Sequence, residues 1–303
     1  MNLELVFLGT GASIPSRERS LPCVALRHGP DITLFDCGEG TQRQLMLSPL
    51  SFMKVERIMV SHLHGDHILG IPGLLQTMSL SGRDRSLTLA GPPGLEEALG
   101  HMMEMCQASI SFPLQVQTMQ DGDVLEGPGF RIQALGALHV PGALSFIFRE
   151  NDRPGRLDRE SLLRLGVPEG PLYSRIQQGE RVEWEGIVID PDEHRGPPRP
   201  GRVVAYSGDT LPNMQLAEAA RGADMIIHEA TFGDDQEELA AEHGHSTASQ
   251  AASVAKEARA RSLALTHISS RYKNPQPLLR EAGAIFPECF VAYDLLSIRL
   301  PFR

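Results

Sequence analysis

Short apolar runs rich in β-branched residues recur along the whole chain, with helical patterns between several of them. Residues 3–8, 23–26, 32–35, 57–60, 87–89, 130–135 and 144–148 predict strands in the first half. Residues 203–206, 225–227, 263–266, 290–293 and 296–300 predict strands in the second. Helices are predicted over 68–79, 95–107, 248–260 and 277–282; the second carries apolar residues at Leu95, Ala98, Leu99, Met102, Met103 and Cys106, one helical face. So many strands with dispersed helices exclude a helical bundle. They fit a mixed α/β sandwich, two sheets packed together with helices outside.

One stretch breaks the pattern. Between Arg149 and Arg202 there are fourteen Gly or Pro, ten Arg and eleven Asp or Glu, few apolar runs and the only tryptophan, Trp184. Such a segment is not expected to form core easily. The reading is one domain over 1–303 with residues 150–201 inserted between two strands as a protruding, flexible arm.

Composition narrows the class. A hydrophobic content of 41% and a charged content of 22% suit a soluble globular protein. No apolar stretch approaches the roughly 18 residues that a membrane span needs. Met1-Asn2-Leu3-Glu4-Leu5 has no basic start and resembles an opening strand, so a cytoplasmic location is expected. Cys23, Cys37, Cys106 and Cys289 are scattered without CxxC spacing, which fits small buried residues better than ligands or half-cystines. The net charge of −10 argues against holding nucleic acid by general electrostatics, so such a substrate would need local positive charge. Lys54, Lys256 and Lys273 are the only lysines; arginine supplies the rest of the positive charge.

The densest chemistry is Ser61-His62-Leu63-His64-Gly65-Asp66-His67, directly after Ile58-Met59-Val60. His62 and His64 lie two apart and project the same way from an extended chain, while Gly65 permits a sharp turn. Asp66 and His67 follow the turn and face a second point. Imidazoles and a carboxylate so spaced suit two neighbouring metal ions. Three later residues stand just past apolar strands, where ligands gather in α/β folds: His139, Asp209 and His267. They complete a set of seven donors, in which the Asp209 carboxylate can bridge two ions.

The histidine cluster resembles the signature of the metallo-β-lactamase superfamily, and the seven donors follow its order. More narrowly, the chain resembles the ribonuclease Z family. Pro15-Ser16-Arg17-Glu18-Arg19-Ser20 is similar to that family's Pro-x-Lys-x-Arg-Asn loop, with Arg17 in place of lysine and Ser20 in place of asparagine. His228-Glu229-Ala230-Thr231 and His245-Ser246-Thr247 match two further motifs; Gly170-Pro171 and the run from Thr266 to Tyr272 also look familial.

The resemblance implies a four-layer αββα sandwich and an endoribonuclease that removes the 3′ trailer from precursor tRNA, leaving a 3′-hydroxyl. It implies two zinc ions per subunit, manganese being the other candidate. His62, His64 and His139 would hold one ion, and Asp66, His67 and His267 the other, with Asp209 between them. Asp66 would orient the water and accept its proton. His245 would protonate the leaving oxygen, oriented by Glu229. A capping box of Thr247 and Gln250 would set His245 before a helix N-terminus, which favours a phosphate. Arg17, Arg19, Ser20, Ser246, Thr247 and Arg271 would contact substrate. The arm, with five arginines against four acids over 149–164, would grip the tRNA elbow, and the protein would be a homodimer. Competing readings are a phosphodiesterase of the same fold acting on small or cyclic nucleotides, and a non-catalytic RNA-binding module. The arm and the motifs weigh against the first; the full donor set weighs against the second.

Overall fold

The computed structural model describes residues 2–302, so Met1 and Arg303 lie outside the described residues. Two seven-stranded sheets form the frame. The first runs in the order Ser297–Leu300, Leu3–Gly9, Cys23–His28, Asp31–Phe35, Val55–Met59, Leu87–Gly91, Leu114–Thr118. The second runs Cys289–Val291, Leu263–Thr266, Met225–Glu229, Val203–Tyr206, Leu144–Glu150, Phe130–Gly136, Val124–Gly127. Each sheet has a parallel block on one side, Asp31–Phe35 to Leu114–Thr118 and Val203–Tyr206 to Cys289–Val291.

The period of two along each strand sorts side chains between layers. Leu3, Leu5 and Phe7 of the opening strand meet Leu144, Phe146, Phe148 and Ile227 of the other sheet in a central core. Their alternates Val6 and Leu8 face the other way, toward Leu45, Leu74, Leu75, Leu95 and Leu99 of the helices Thr41–Leu47, Ile71–Leu80 and Leu95–Met105. The second sheet repeats this: Ala264 lies in the central core, while Leu263 and Leu265 pack on the helices Met214–Ala219, Ala248–Glu257 and Gln276–Ile285. The result is helix, sheet, sheet, helix. The inner strands, such as Leu3–Gly9, Val203–Tyr206 and Leu263–Thr266, read as near-continuous apolar runs because both their faces are covered.

Most expected elements form, with shifted ends. The helix expected over 68–79 is two, Gly65–Ile68 and Ile71–Leu80. The break falls where Gly70 touches the loop after the strand Asp31–Phe35: a Cβ there would stand 2.1 Å from the Gly38 carbonyl oxygen. Short strands such as Gly11–Ala12 and Ile268–Ser269 escape periodicity, since two residues carry no period. Among the described residues no helix is long and apolar enough to cross a membrane.

Residues 149–202, with Phe302, form a second compact unit. The expectation that this segment would not easily form core is corrected. Leu162, Val167, Tyr173, Ile176, Val182 and Ile189 make a small buried cluster of their own. Apart from Ile187-Val188-Ile189 they lie in short, broken stretches, so no long apolar run announces them. The helices Arg159–Arg164 and Pro171–Gln177 and the hairpin Val182–Trp184/Ile187–Ile189 turn them inward. Asp158 caps the first helix by accepting from the Ser161 amide at 3.1 Å. Glu150 and Arg202 close the unit with a buried two-point ion pair, both contacts at 2.8 Å, and the Arg153 and Arg202 guanidiniums lie over the Phe302 ring.

Candidate metal centre

The loops after three parallel-block strands and one antiparallel strand carry the donors to one place. His62 and His64 leave the strand Val55–Met59 in extended chain, and Asp66 and His67 sit in the short helix that follows. Gly65 begins that helix with no left-handed φ; its missing side chain serves close approach instead, since a Cβ would lie 3.1 Å from Leu69 Cδ1. His139 follows Phe130–Gly136, Asp209 follows Val203–Tyr206, and His267 follows Leu263–Thr266. Gly208, at φ 58, is required for Asp209: a Cβ there would meet Ser61 Cβ at 2.8 Å and the Leu144 carbonyl oxygen at 2.9 Å. His267 itself takes a left-handed φ of 56.

Distances show what converges. His64 Nδ1 lies 3.0 Å from His62 Nε2 and 3.3 Å from His139 Nε2. Asp209 Oδ2 stands 3.7 Å from His62 Nε2, 3.3 Å from His67 Nε2 and 3.4 Å from His267 Nε2. Asp66 Oδ2 is 3.7 Å from His67 Nε2 and 3.6 Å from His267 Nε2. Donor atoms of His62, His64 and His139 therefore form one cation-sized group, those of Asp66, His67 and His267 another, with Asp209 and the pair His62–His67 between.

Hydrogen bonds determine which imidazole nitrogens are free. Ser61 Oγ donates to Asp36 Oδ2 at 2.8 Å, so it accepts from His62 Nδ1 at 3.0 Å. Thr231 Oγ1 donates to Glu229 Oε2 at 2.7 Å, so it accepts from His267 Nδ1 at 2.8 Å. His67 Nδ1 donates to Asp36 Oδ2 at 2.7 Å, and His139 Nδ1 to the Gly244 carbonyl at 2.9 Å. In all four rings the proton is spent outward and the Nε2 lone pair faces the centre. The buried Nε2 atoms of His67 and His267 have no hydrogen-bond partner among the described residues. Orphaned lone pairs beside carboxylates are what a divalent cation satisfies, and partners behind each ring are the usual companions of ligating histidines. The residues fit metal ions.

Electrostatics agree. Burial, then the neighbouring His67, push His62 down to about 2, leaving it neutral and able to ligate. Burial would raise Asp209, yet His267 and His67 hold it well below the usual carboxylate range; Asp66 is lowered likewise against burial, by His267 and then His67. His67, although buried, is held well above the ordinary imidazole value by Asp209 and Asp36. Two carboxylates there call for positive charge, which a metal ion supplies in place of a proton.

His245 stands beside the donors. Its ring stacks on His267 with centroids 5.5 Å apart, and its Nδ1 lies 2.9 Å from Glu229 Oε1. Burial opposes its charged form, but Glu229 and its hydrogen bond raise the imidazole to about 9. The capping box forms as expected, with Thr247 Oγ1 accepting from the Gln250 amide and Gln250 Oε1 from the Thr247 amide. Glu229 is buried and also accepts from the Thr210 amide at 2.9 Å, which ties it to the Asp209 loop.

The expected substrate contacts fall differently. Arg17 is exposed, and Arg271 lies at the surface over the Phe232 ring. Arg19, half-buried, gives its guanidinium to Thr10 Oγ1 and the Ala292 carbonyl, and the Ser20 amide donates to Asp294. Ser246 Oγ donates to the Thr210 carbonyl at 2.7 Å, so its hydroxyl supports the Asp209 loop. Sequence reasoning missed Asp36, Ser61, Tyr206 and Thr231. Asp36 accepts from the Ser61 amide and hydroxyl, His67 and Tyr206, so it orients both histidines. One signal was present: Asp36, like Asp209, directly follows an apolar strand.

A family model of the anti-Pycsar protein Apyc1 matches residues 3–153, and a model of the beta-lactamase superfamily domain matches residues 168–268. A protein named ribonuclease Z from Methanosarcina acetivorans is 44% identical over 302 residues, covering 99% of both chains. Ribonuclease Z of Bacillus subtilis is 40% identical over 305 residues, again covering 99% of each. The crystal structure of human tRNase Z, short form, matches with a TM-score of 0.72 at 29% identity, covering 99% of this chain and 100% of that one. Fold and donor set define a metal-dependent hydrolase of the metallo-β-lactamase superfamily. Within it, the chain belongs to the ribonuclease Z family of endoribonucleases.

Proposed function

We propose that the protein removes the 3′ trailer from tRNA precursors, hydrolysing one phosphodiester to leave a tRNA 3′-hydroxyl and a 5′-phosphorylated trailer. The observation that carries this reading is the His245–Glu229 pair set directly against seven convergent donors. His62, His64 and His139 would hold one zinc ion, Asp66, His67 and His267 a second, and Asp209 would face both. Ions bound there supply Lewis acidity toward water and the phosphate oxygens. Asp66 orients the attacking water and takes its proton. As the phosphorus–oxygen bond to the tRNA breaks, His245 gives the leaving 3′ oxygen a proton, while Glu229 holds the ring and stabilises its charge.

The second unit offers RNA a local positive surface that the net charge of −10 does not. Arg156, Arg159 and Arg199 line a cleft of about 410 Å³ there, which supports its reading as the tRNA-gripping arm. Exposed Met46 and Leu69 flank a shallow groove that Glu39, Gln42 and Arg43 also line, a mixed apolar and charged surface that supports a homodimer. A role in tRNA maturation goes with a cytoplasmic location. The direct test incubates the zinc-loaded protein with a 3′-extended tRNA transcript and maps the cut. One cut at the trailer boundary is expected; hydrolysis of small phosphodiesters without any cut in the transcript would overturn the proposal.

A further inference from the structure

Asp66 Oδ2 also accepts from the Ser13 amide, at 2.9 Å. Ser13 is exposed and holds a left-handed φ of 57, so its amide stays aimed only if the loop around it is held in shape. Both ends of that loop are gripped by one carboxylate. Thr10 Oγ1 donates to Asp294 Oδ1 at 2.7 Å, and the Ser20 amide donates to Asp294 Oδ2 at 2.6 Å. Gln44 Nε2, from the helix Thr41–Leu47, donates to Asp294 Oδ2 at 2.8 Å and to the Leu8 carbonyl at 2.7 Å, spending both its protons. Arg19 closes the group through Nη1, which reaches Thr10 Oγ1 at 2.6 Å and the Ala292 carbonyl at 2.7 Å.

The same loop touches the second donor of this half of the centre. The Thr10 carbonyl accepts from the Ile268 amide at 2.9 Å, and Gly11–Ala12 pairs in parallel with Ile268–Ser269, immediately after His267. We infer that Asp294 is a positioning residue which, through Thr10, Ser20 and Arg19, sets the Ser13 amide against Asp66 and braces the chain behind His267. The inference rests on the reading of Asp66 and His267 as metal donors. It also assigns Arg19 a task distinct from substrate contact: its charge acts inward, on the loop, while exposed Arg17 is left to face solvent.

The test uses the zinc-loaded full chain with Asp294→Ala, Thr10→Val and Thr10→Ser. Hydrogen exchange is followed at the Ser13 and Ser20 amides, and zinc affinity is measured by competition with a chromophoric chelator, both well below the unfolding temperature. Asp294→Ala should accelerate exchange at both amides and weaken the more labile zinc about 10-fold, the lower end for partners behind a ligand. Thr10→Val, nearly isosteric, should shift both readouts in the same direction, and Thr10→Ser should restore them. A lower melting temperature with unchanged Ser13 exchange and unchanged zinc affinity would show a purely structural peg and overturn the inference. Should Asp294→Ala not fold, unchanged readouts in Thr10→Val would overturn it equally. A parent protein that binds zinc without Asp66 would defeat the donor reading, whereas Ser13 exchange would still decide what Asp294 does.

Discussion

In the donor pocket, one carboxylate, Asp36, accepts hydrogen bonds from residues as far apart as Ser61 and Tyr206, whereas in the inserted unit Arg175 pairs with Glu180 on the surface, five positions along. The pocket is held by long-range, buried, mutually dependent bonds. The inserted unit is held by a small core, local turns and caps and the buried Glu150–Arg202 ion pair, while exposed pairs such as Arg175–Glu180 contribute little in water. The lesson concerns coupling. In the pocket His67, His139 and His267 take ring partners from distant segments, and Ser61 behind His62 is itself held by Asp36, so one substitution propagates. In the inserted unit a surface substitution stays local, and arginines there are free to vary in contact without disturbing the fold.

Five substitutions or treatments probe that contrast, in falling order of effect. Asp209→Ala removes an oxygen within 3.7 Å of three imidazole Nε2 atoms; turnover should drop by well over the roughly 100-fold typical of outer partners, with bound metal falling in elemental analysis. His245→Ala should lower turnover by about 10²–10⁴-fold with zinc content intact, as for loss of a general acid. Zinc loss in that variant would mean that His245 is a ligand instead. Asp36→Asn turns an amide donor toward groups that already donate, and should lower metal affinity or activity about 10–100-fold. An unchanged chelator titration would show that the buried bonds behind the histidines are not coupled to the metal.

Replacing residues 150–201 by a short Gly-Ser linker should weaken precursor tRNA binding, most visibly as a raised KM at low salt with a shallower salt dependence, and spare hydrolysis of a small phosphodiester. Equal loss of both activities would make the inserted unit structural and erase the contrast. The mildest probe is chemical. Burial pushes the Cys37 thiol up to about 12, so at pH 8 it stays protonated, while Cys106 is exposed. Iodoacetamide on the native protein should label Cys106 and leave Cys37 untouched, as read by peptide mass; rapid Cys37 labelling would reveal a pocket that opens.

The alternation of Leu3, Leu5 and Phe7 with Val6 and Leu8 announced a strand covered on both faces, because a period of two survives in any environment. His62, His64, Asp66 and His67 were legible because they fall within one turn of chain. His139, Asp209 and His267 were legible only as polar residues ending apolar strands, and Asp36 carried that same mark without being weighed. Ser61 and Thr231 stood within the two motifs, but nothing marked their role, since a hydroxyl between a histidine and a carboxylate is defined by its two neighbours in space. The small core of the inserted unit was hidden for a related reason: Leu162, Val167 and Ile176 lie in short, broken stretches, and only the helices and hairpin gather them with Ile189.

The sequence alone therefore determined the layered α/β architecture, the donor types and the capped helix beside His245, because each follows from spacing within a few residues. Tertiary structure alone decided which nitrogen of each histidine is free, that Arg19 and Ser246 turn inward, and that Asp294 grips both ends of the loop beside Asp66. Those outcomes depend on donors and acceptors meeting across tens to hundreds of residues, and no local pattern encodes the direction in which a side chain finds its partner.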